Sequence, residues 1–472
     1  MRSTGKVFAT VCLVVVGLLL LSQVPTFSVN GTQSRPVDLL GDLFQDNTKR
    51  SGDAVNGLME TGLTPVAEIP KEKDVAALPT VKADSLSDKD IITYAQKGCV
   101  MIEDFSEGKG GGMRHFYEKL SCEKDNHTPV RVAYFGDSFI EGDVLTCDLR
   151  EMLQSEYGGS GPGWVDCGGG INSNRPTISV EYQDLTERVT TRKPFNNRLQ
   201  CLNQRYYYAG LNASLHLGGT KFRPHVGRWD KATLFFVPDT LFSVEVNPGK
   251  TDYKENNFAP DSVVQALQTS MAMGNIDYRF HDAVHKTRLF GVALDGAGGV
   301  SLDNFSMRGT PGYTLTRIPI RTLMDIHRYR PYDLIILHFG LNVVNDSTTN
   351  AMCRRYINRM KKVVSNMRSA FPEAGIVVFS VPDRVQRGAD GMHTLRGVEK
   401  MVGYQRQLAS ECGVAYLNLY QAMGGRESMK RYVDQGLAAK DYTHLNYKGG
   451  KVLAKHIFNS IQAGVEMYKK GL

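Results

Sequence analysis

The sequence predicts an α/β protein: a three-layer αβα sandwich around a parallel sheet, interrupted once by an inserted antiparallel β-module. Three observations predict it. Continuous apolar runs at residues 130–135, 334–337, 376–381 and 414–419 have strand length, and continuous rather than alternating apolarity marks a sheet covered on both faces, as parallel sheets are. Between the runs the period changes. Cys353, Tyr356, Ile357, Met360, Val363, Val364 and Met367 recur at three- and four-residue steps, as do Leu453, Ile457, Ile461 and Val465, which lines one face of a helix with apolar groups. The third observation is the stretch 172–298. It has no long helical period, and "RYYYAGLNASLHLGG", "ATLFFVPDTLFSVEVNPGK" and "IDYRFHD" alternate apolar and polar residues and turn on Pro-Gly, the pattern of half-buried antiparallel strands.

Taken in order, the chain opens with Arg2 and Lys6 ahead of an apolar run over residues 7–24. Residues 1–27 read as a signal peptide or membrane anchor; the run is nearly long enough to span and no clear small-x-small cleavage site follows, which favours an uncleaved anchor. Basic residues ahead of the run leave the rest of the chain outside the cytoplasm, in the cell envelope, periplasmic or otherwise extracytoplasmic. Residues 28–90 are rich in Asp, Thr, Pro, Gly and Ser without apolar period and read as a flexible linker. The α/β part is then expected over 91–171 and 299–472, with the β-module over 172–298 between them.

A chain of 472 residues holds more than one domain. A formal charge of +7 is modest for this length, and no Lys/Arg block alternates with aromatics, so nucleic acid is not an expected partner. Of eight cysteines, Cys12 lies in the first apolar run, and the other seven are widely spaced, with no C-x-x-C pair and no His at metal-ligand spacing. Buried thiols with at most one or two disulfides are expected, and no metal or cofactor.

The stretch "VRVAYFGDSFIEGD" runs from a buried strand into Gly136-Asp137-Ser138 and then a polar, helix-like segment. A strand breaking at Gly136 holds Ser138 at the C-terminal edge of the sheet, where ligands of open α/β sheets bind. Ser138 is therefore either a helix cap or a nucleophile. Three more stretches fall at the same kind of place: "SLDNFSMRGTPG" with Gly309, "DLIILHFGLN" with Gly340-Leu341-Asn342, and "AAKDYTHLNYKGG" with Asp441-x-x-His444. Acyl transfer needs a nucleophile, a base, a group that orients the base, and donors for the developing oxyanion. The four stretches supply each part once.

Through "GDS", the second-block glycine, "G-x-N" and "D-x-x-H", in that order, the chain resembles the SGNH hydrolases, also called the GDSL esterases and lipases. The resemblance implies Ser138 as nucleophile, His444 as general base and then acid, and Asp441 as the group orienting the imidazole. It implies an oxyanion hole of the Ser138 and Gly309 backbone N–H groups and the Asn342 side-chain amide. Many members continue the third block as G-x-N-D; here Val343 follows Asn342, which removes a neighbouring polar contact. "YGGSGPGW" and the C-terminal block resemble the branch of bacterial envelope carbohydrate esterases that includes peptidoglycan O-acetylesterases, some with a β-rich carbohydrate-binding module after the first block.

The expected activity is removal of O-acetyl groups from an envelope polysaccharide, peptidoglycan first, with the acetylated polysaccharide as the partner and the membrane touched only through the N-terminal segment. The competing readings are an esterase or lipase on other acyl esters or dietary acetylated glycans, and a catalytically silent glycan-binding scaffold. The Gly-rich "GGSGPG" is not followed by Gly-Lys-Ser/Thr, which sets aside a phosphate loop. His338 is expected to be a hydrogen-bonded histidine rather than a catalytic one. Asp383 and Arg384 are expected to form a local ion pair shaping the pocket, and Trp164, Trp229 and Tyr206–Tyr208 to be mainly core.

Overall fold

The structure, a computed structural model, describes residues 99–471 except 109, 123–128, 250–251, 283–285 and 389–390. Before residue 99 it describes only a short antiparallel pair, Ser28–Val29 with Thr32–Gln33. The expected anchor at 1–27 and the rest of the expected linker at 28–90 lie outside the described residues. Among the described residues no helix is long and apolar enough to cross a membrane.

The fold is mixed α/β, with one sheet that is mostly parallel and a separate antiparallel sheet. The first runs in the order Val300–Ser306, Val130–Gly136, Leu334–His338, Gly375–Phe379, Ala415–Leu417, Glu103–Asp104. The first five strands are parallel and only the two-residue edge strand Glu103–Asp104 is antiparallel. Every residue of the Leu334, Gly375 and Ala415 strands is buried, so neither face of these strands is open to water. Their continuous apolarity has that cause.

Helices pack around this sheet in two groups. Arg114–Ser121 and Thr146–Tyr157 lie against the C-terminal helix Tyr447–Lys469, whereas Ile320–Tyr329 and Arg396–Cys412 lie against Asn350–Ala370. The apolar stripe read from the sequence of Asn350–Ala370 is the buried one, from Cys353 through Met367. Its first turn is capped by Thr349, whose hydroxyl accepts from the Met352 N–H. The C-terminal helix starts at Asn446, whose side chain accepts from the Lys448 and Gly449 N–H groups, a cap worth about 1 kcal/mol. That cap fixes the end of the loop carrying His444.

The antiparallel sheet has nine strands. Seven follow in the order Lys254–Phe258, Phe242–Pro248, Asn275–His281, Arg205–Gly219, Arg288–Asp295, Trp229–Val237, Gln265–Met273; Gly163–Asp166 pairs beside Arg288–Asp295 and Ile178–Val189 beside Arg205–Gly219. It has its own apolar cluster, with Leu215, Leu217, Trp229, Phe236, Val244 and Ile276. The sheet draws in Gly163–Asp166, upstream of residue 172. The stretch "RLFGVALDGAGGVSLDNFS" divides at its glycines: Arg288–Asp295 ends the antiparallel sheet, and Val300–Ser306 begins the parallel one.

Trp164 fills the seam, stacked on Phe235 at 5.1 Å and tilted against Phe305 at 5.5 Å. It and Trp229 are each 1% exposed, which makes both core residues. Among the described cysteines, Cys122, Cys147, Cys167, Cys201, Cys353 and Cys412 are free thiols, and Cys99, Cys147, Cys167, Cys201 and Cys353 are buried.

Candidate functional site

Three adjacent strands end level. Gly136 stands opposite Ser306 on one side and His338 on the other, so the segments that follow, Asp137–Ser138, Met307–Thr310 and Phe339–Asn342, leave the sheet at one edge. The Met307 N–H donates to the Gly136 carbonyl at 3.0 Å and ties the first two together.

After Gly136 the chain enters a 3-10 turn over Ser138–Asp143. Its cap is Asp137, whose Oδ1 accepts from the Phe139 N–H at 3.0 Å. The capping role belongs to Asp137, and Ser138 is left to face outward. Its Oγ lies 2.9 Å from His444 Nε2. His444 Nδ1 lies 2.6 Å from Asp441 Oδ2. Asp441 Oδ1 accepts from the Thr443 and His444 backbone N–H groups, each at 3.0 Å. Partial burial works against the charge of Asp441, but these bonds and the His444 ring prevail and hold its carboxyl below the usual range. The loop itself is pinned by the Ala438 and Leu445 bridge and by the Ala439 N–H on the His444 carbonyl at 2.8 Å.

Asn342 lies in the short turn Leu341–Val343, after Gly340. Gly340 has φ +115°, and a Cβ there would stand 2.9 Å from Val381 Cγ1; a side chain would be strained and crowded. The Asn342 amide donates to Asp137 Oδ2 at 2.8 Å and to the Thr310 carbonyl at 3.2 Å. Asp137 is 3% exposed. Burial pushes its carboxyl up to about 6, against the pull of the Phe139 N–H, His444, the Asn342 amide and Arg384. The polar contact missing at Val343 is thus made from elsewhere, by the Asp of the Gly-Asp-Ser stretch. In the sequence, the place of Asp137 next to the serine is the one signal of this role.

Gly309 lies in the turn that Thr310 closes back on Met307. Its N–H has no acceptor among the described residues, and the Ser138 N–H heads the 3-10 turn, where the first N–H groups lack partners within the turn. The structure therefore brings Ser138, Gly309, Asn342, Asp441 and His444 to one edge.

His338 is 3% exposed and its Nδ1 lies 3.0 Å from the Tyr134 hydroxyl. Burial pulls its pKa down to about 3, so the ring is neutral, in a core position. The expected ion pair between Asp383 and Arg384 does not form. Neighbouring residues on an extended chain point opposite ways: Asp383 turns inward to the Thr394 hydroxyl and the Met429 N–H, both at 2.8 Å, while Arg384 reaches the Leu341 carbonyl at 3.4 Å.

Residues 270–452 match the family model described as GDSL-like Lipase/Acylhydrolase. The match starts after the Gly-Asp-Ser stretch, which the fold brings back beside it. No curated protein matches the chain by sequence. Among solved structures, the one titled "Peptidoglycan O-acetylesterase in action, 5 min" superposes with a TM-score of 0.63 at 21% identity, covering 78% of this chain and 99% of that one. A putative GDSL-like lipase from Parabacteroides merdae gives 0.27 at 16% identity, covering 35% of this chain and 74% of that one. A family two carbohydrate esterase from Clostridium thermocellum gives 0.25 at 11%, covering 55% and 95%. Residues 270–452 are therefore similar to the GDSL-like lipase/acylhydrolase family, and the fold resembles that of a solved peptidoglycan O-acetylesterase.

Proposed function

We propose that this protein is a serine esterase that removes O-acetyl groups from an envelope polysaccharide, peptidoglycan first, through an acyl-enzyme on Ser138. The observation that carries the reading is the continuous chain Ser138 Oγ, His444 Nε2, His444 Nδ1, Asp441 Oδ2, with contacts of 2.9 and 2.6 Å. Ser138 Oγ attacks the acetyl carbonyl while His444 takes its proton, and Asp441 steadies the imidazolium that forms. The oxyanion receives hydrogen bonds from the Ser138 and Gly309 N–H groups and from Asn342, which turns one proton from the long Thr310 contact. His444 then gives its proton to the departing sugar oxygen, leaving acetyl-Ser138. Water, deprotonated by His444, releases acetate and restores the serine.

The three-layer sandwich, the division of the hydrolase domain by the β-module, a role for that module in holding glycan, and an extracytoplasmic location behind the N-terminal segment are parts of the same proposal. Acetate release by the purified full-length protein tests it, on O-acetylated peptidoglycan, acetylated xylan and a short-chain aryl acetate. Peptidoglycan is expected to be deacetylated fastest. Preference for xylan would move the substrate, and silence on all three would remove the esterase reading.

Asn342→Ala is expected to lower turnover roughly a hundred- to a thousandfold, since its amide meets negative charge only as the tetrahedral intermediate develops. Stability is expected to fall too, by about 1–3 kcal/mol, because the buried Asp137 carboxylate loses a donor. Turnover numbers and chemical denaturation on the one variant separate the two effects. A variant that is destabilised but turns over normally would confine Asn342 to serving Asp137.

A further inference from the structure

Near the site lies a groove, walled in part by the antiparallel sheet, that the hydrolytic steps leave unused. Its outer part is a cavity of about 400 Å³ lined by Gly169, Gly170, Tyr182, Arg188, Arg192 and Lys193, among others. The inner part, about 190 Å³, shares Gly170, Glu187 and Arg192 with it and reaches Glu141 and Arg308. Glu141 belongs to the turn that Ser138 opens, Arg308 precedes Gly309, and the two are ion-paired. The groove thus ends on the segments that carry Ser138 and Gly309.

Its lining suits a particular kind of chain. Gly169 has φ +77°, and the Glu187 carboxylate fills the place a Cβ would take there, 2.2 Å from it, so the glycine lets a carboxylate of the lining pack onto the backbone. Tyr182, 46% exposed, stands over Gly168 and offers an open aromatic face, an amphipathic surface against which a sugar ring lies flat. Around this floor five cations, Arg188, Arg192, Lys193, Arg205 and Arg308, face two carboxylates, Glu141 and Glu187, so the lining is net positive. Arg205 is buried on Asp166. Arg192 and Arg308 are 71% and 69% exposed, and their partners Glu187 and Glu141 are 14% and 16% exposed; ion pairs whose cation stands in water are worth little and are readily exchanged. Lys193 is exposed and Arg188 half-buried.

We infer that this groove holds the stretch of glycan next to the acetylated sugar, and that Arg188, Arg192 and Lys193 select polymers that carry carboxylates. Guanidinium forks bind carboxylates in two-point fashion, and a focused positive field favours an anionic chain over a neutral one of the same shape. The inference rests on the esterase reading, because Ser138 gives the groove its reacting end.

The test uses the full-length Ser138→Ala protein, so that bound polymer is not consumed. Its affinity is measured by calorimetry for solubilised O-acetylated peptidoglycan strands and for the same strands with their carboxylates amidated. Amidation is expected to weaken binding about tenfold or more, two or three exposed ion pairs' worth, and added salt to weaken only the native polymer. Adding Arg192→Glu and Lys193→Glu is expected to weaken the native polymer by a similar factor and to leave the amidated one unchanged; if the doubly reversed protein melts early, the Arg192→Gln, Lys193→Gln pair is measured instead. Equal affinity for the two polymers, or charge-reversed protein that binds the native polymer as tightly as its parent, would overturn the inference. Acetate release by the wild type is scored separately. Hydrolysis with no carboxylate preference keeps the esterase and loses the groove, and selective binding without hydrolysis of any ester does the reverse.

Discussion

Ser138→Ala is expected to abolish ester hydrolysis, with turnover falling by about four orders of magnitude or more, while the protein folds and melts as before. Both halves follow from the geometry. The Ser138 hydroxyl lies at the sheet edge 2.9 Å from an imidazole base, and on the proposed mechanism its removal leaves only the expected oxyanion donors and groove to supply whatever rate remains. Ser138 is only partly buried, and the cap of its turn is made by Asp137; losing the hydroxyl therefore strands no buried partner, and such changes stay within about 0.5 kcal/mol. Rate of acetate release and thermal midpoint are the two measurements. Activity above about a tenth of wild type would place the nucleophile elsewhere.

The largest expected effect on stability is at Arg330→Ala. Arg330, 2% exposed, ends the Ile320–Tyr329 helix and donates to Asp303 at 2.6 and 2.8 Å, to Asp295 at 2.5 and 3.0 Å, and to the Ser301 hydroxyl at 3.1 Å. Asp303 also accepts from the Trp164 N–H and the Tyr332 hydroxyl. Burial alone would raise Asp295, yet Arg330 and Arg131 hold its carboxyl down to about 2. Truncation strands two buried carboxylates, a loss of about 3–5 kcal/mol, which is a large part of the stability of an ordinary domain. Denaturant unfolding measures it. A variant as stable as wild type at neutral pH would mean that the cluster does not hold the two sheets together.

The strands and the long helices were legible because burial on both faces and burial on one stripe write different periods into the chain. The ordered Ser138, Gly309, Asn342 and Asp441-x-x-His444 stretches were legible for another reason: the first three follow adjacent strands that end level, and the fourth lies on the loop that leads into the C-terminal helix. What stayed hidden depends on contacts across the sheet. Asp137 meets Asn342 only because Gly136 and His338 stand opposite each other, and no local pattern announces that. Arg330, Asp295 and Asp303 look like surface charges until three elements converge on them. The four-residue strand Gly163–Asp166 is too short to show a period and sits in a glycine-rich stretch that reads as a loop. The misplaced pairing of Asp383 with Arg384 came from reading adjacency along the chain as adjacency in space.

The pairing of Gly163–Asp166 with Arg288–Asp295 bears on how the chain finds its fold. Val130 must line up with Val300 across the whole intervening stretch, and closing so long a loop costs conformational entropy before any contact repays it. Once Leu294 stands opposite Gly163, the ends that have to meet are joined by two short arms instead. The saving is on the order of 1 kcal/mol by the logarithmic law for loop closure. An antiparallel sheet that assembles first would deliver the edge strand of the parallel sheet to its partner, so that the order of assembly runs from the inserted sheet to the sheet that holds Ser138.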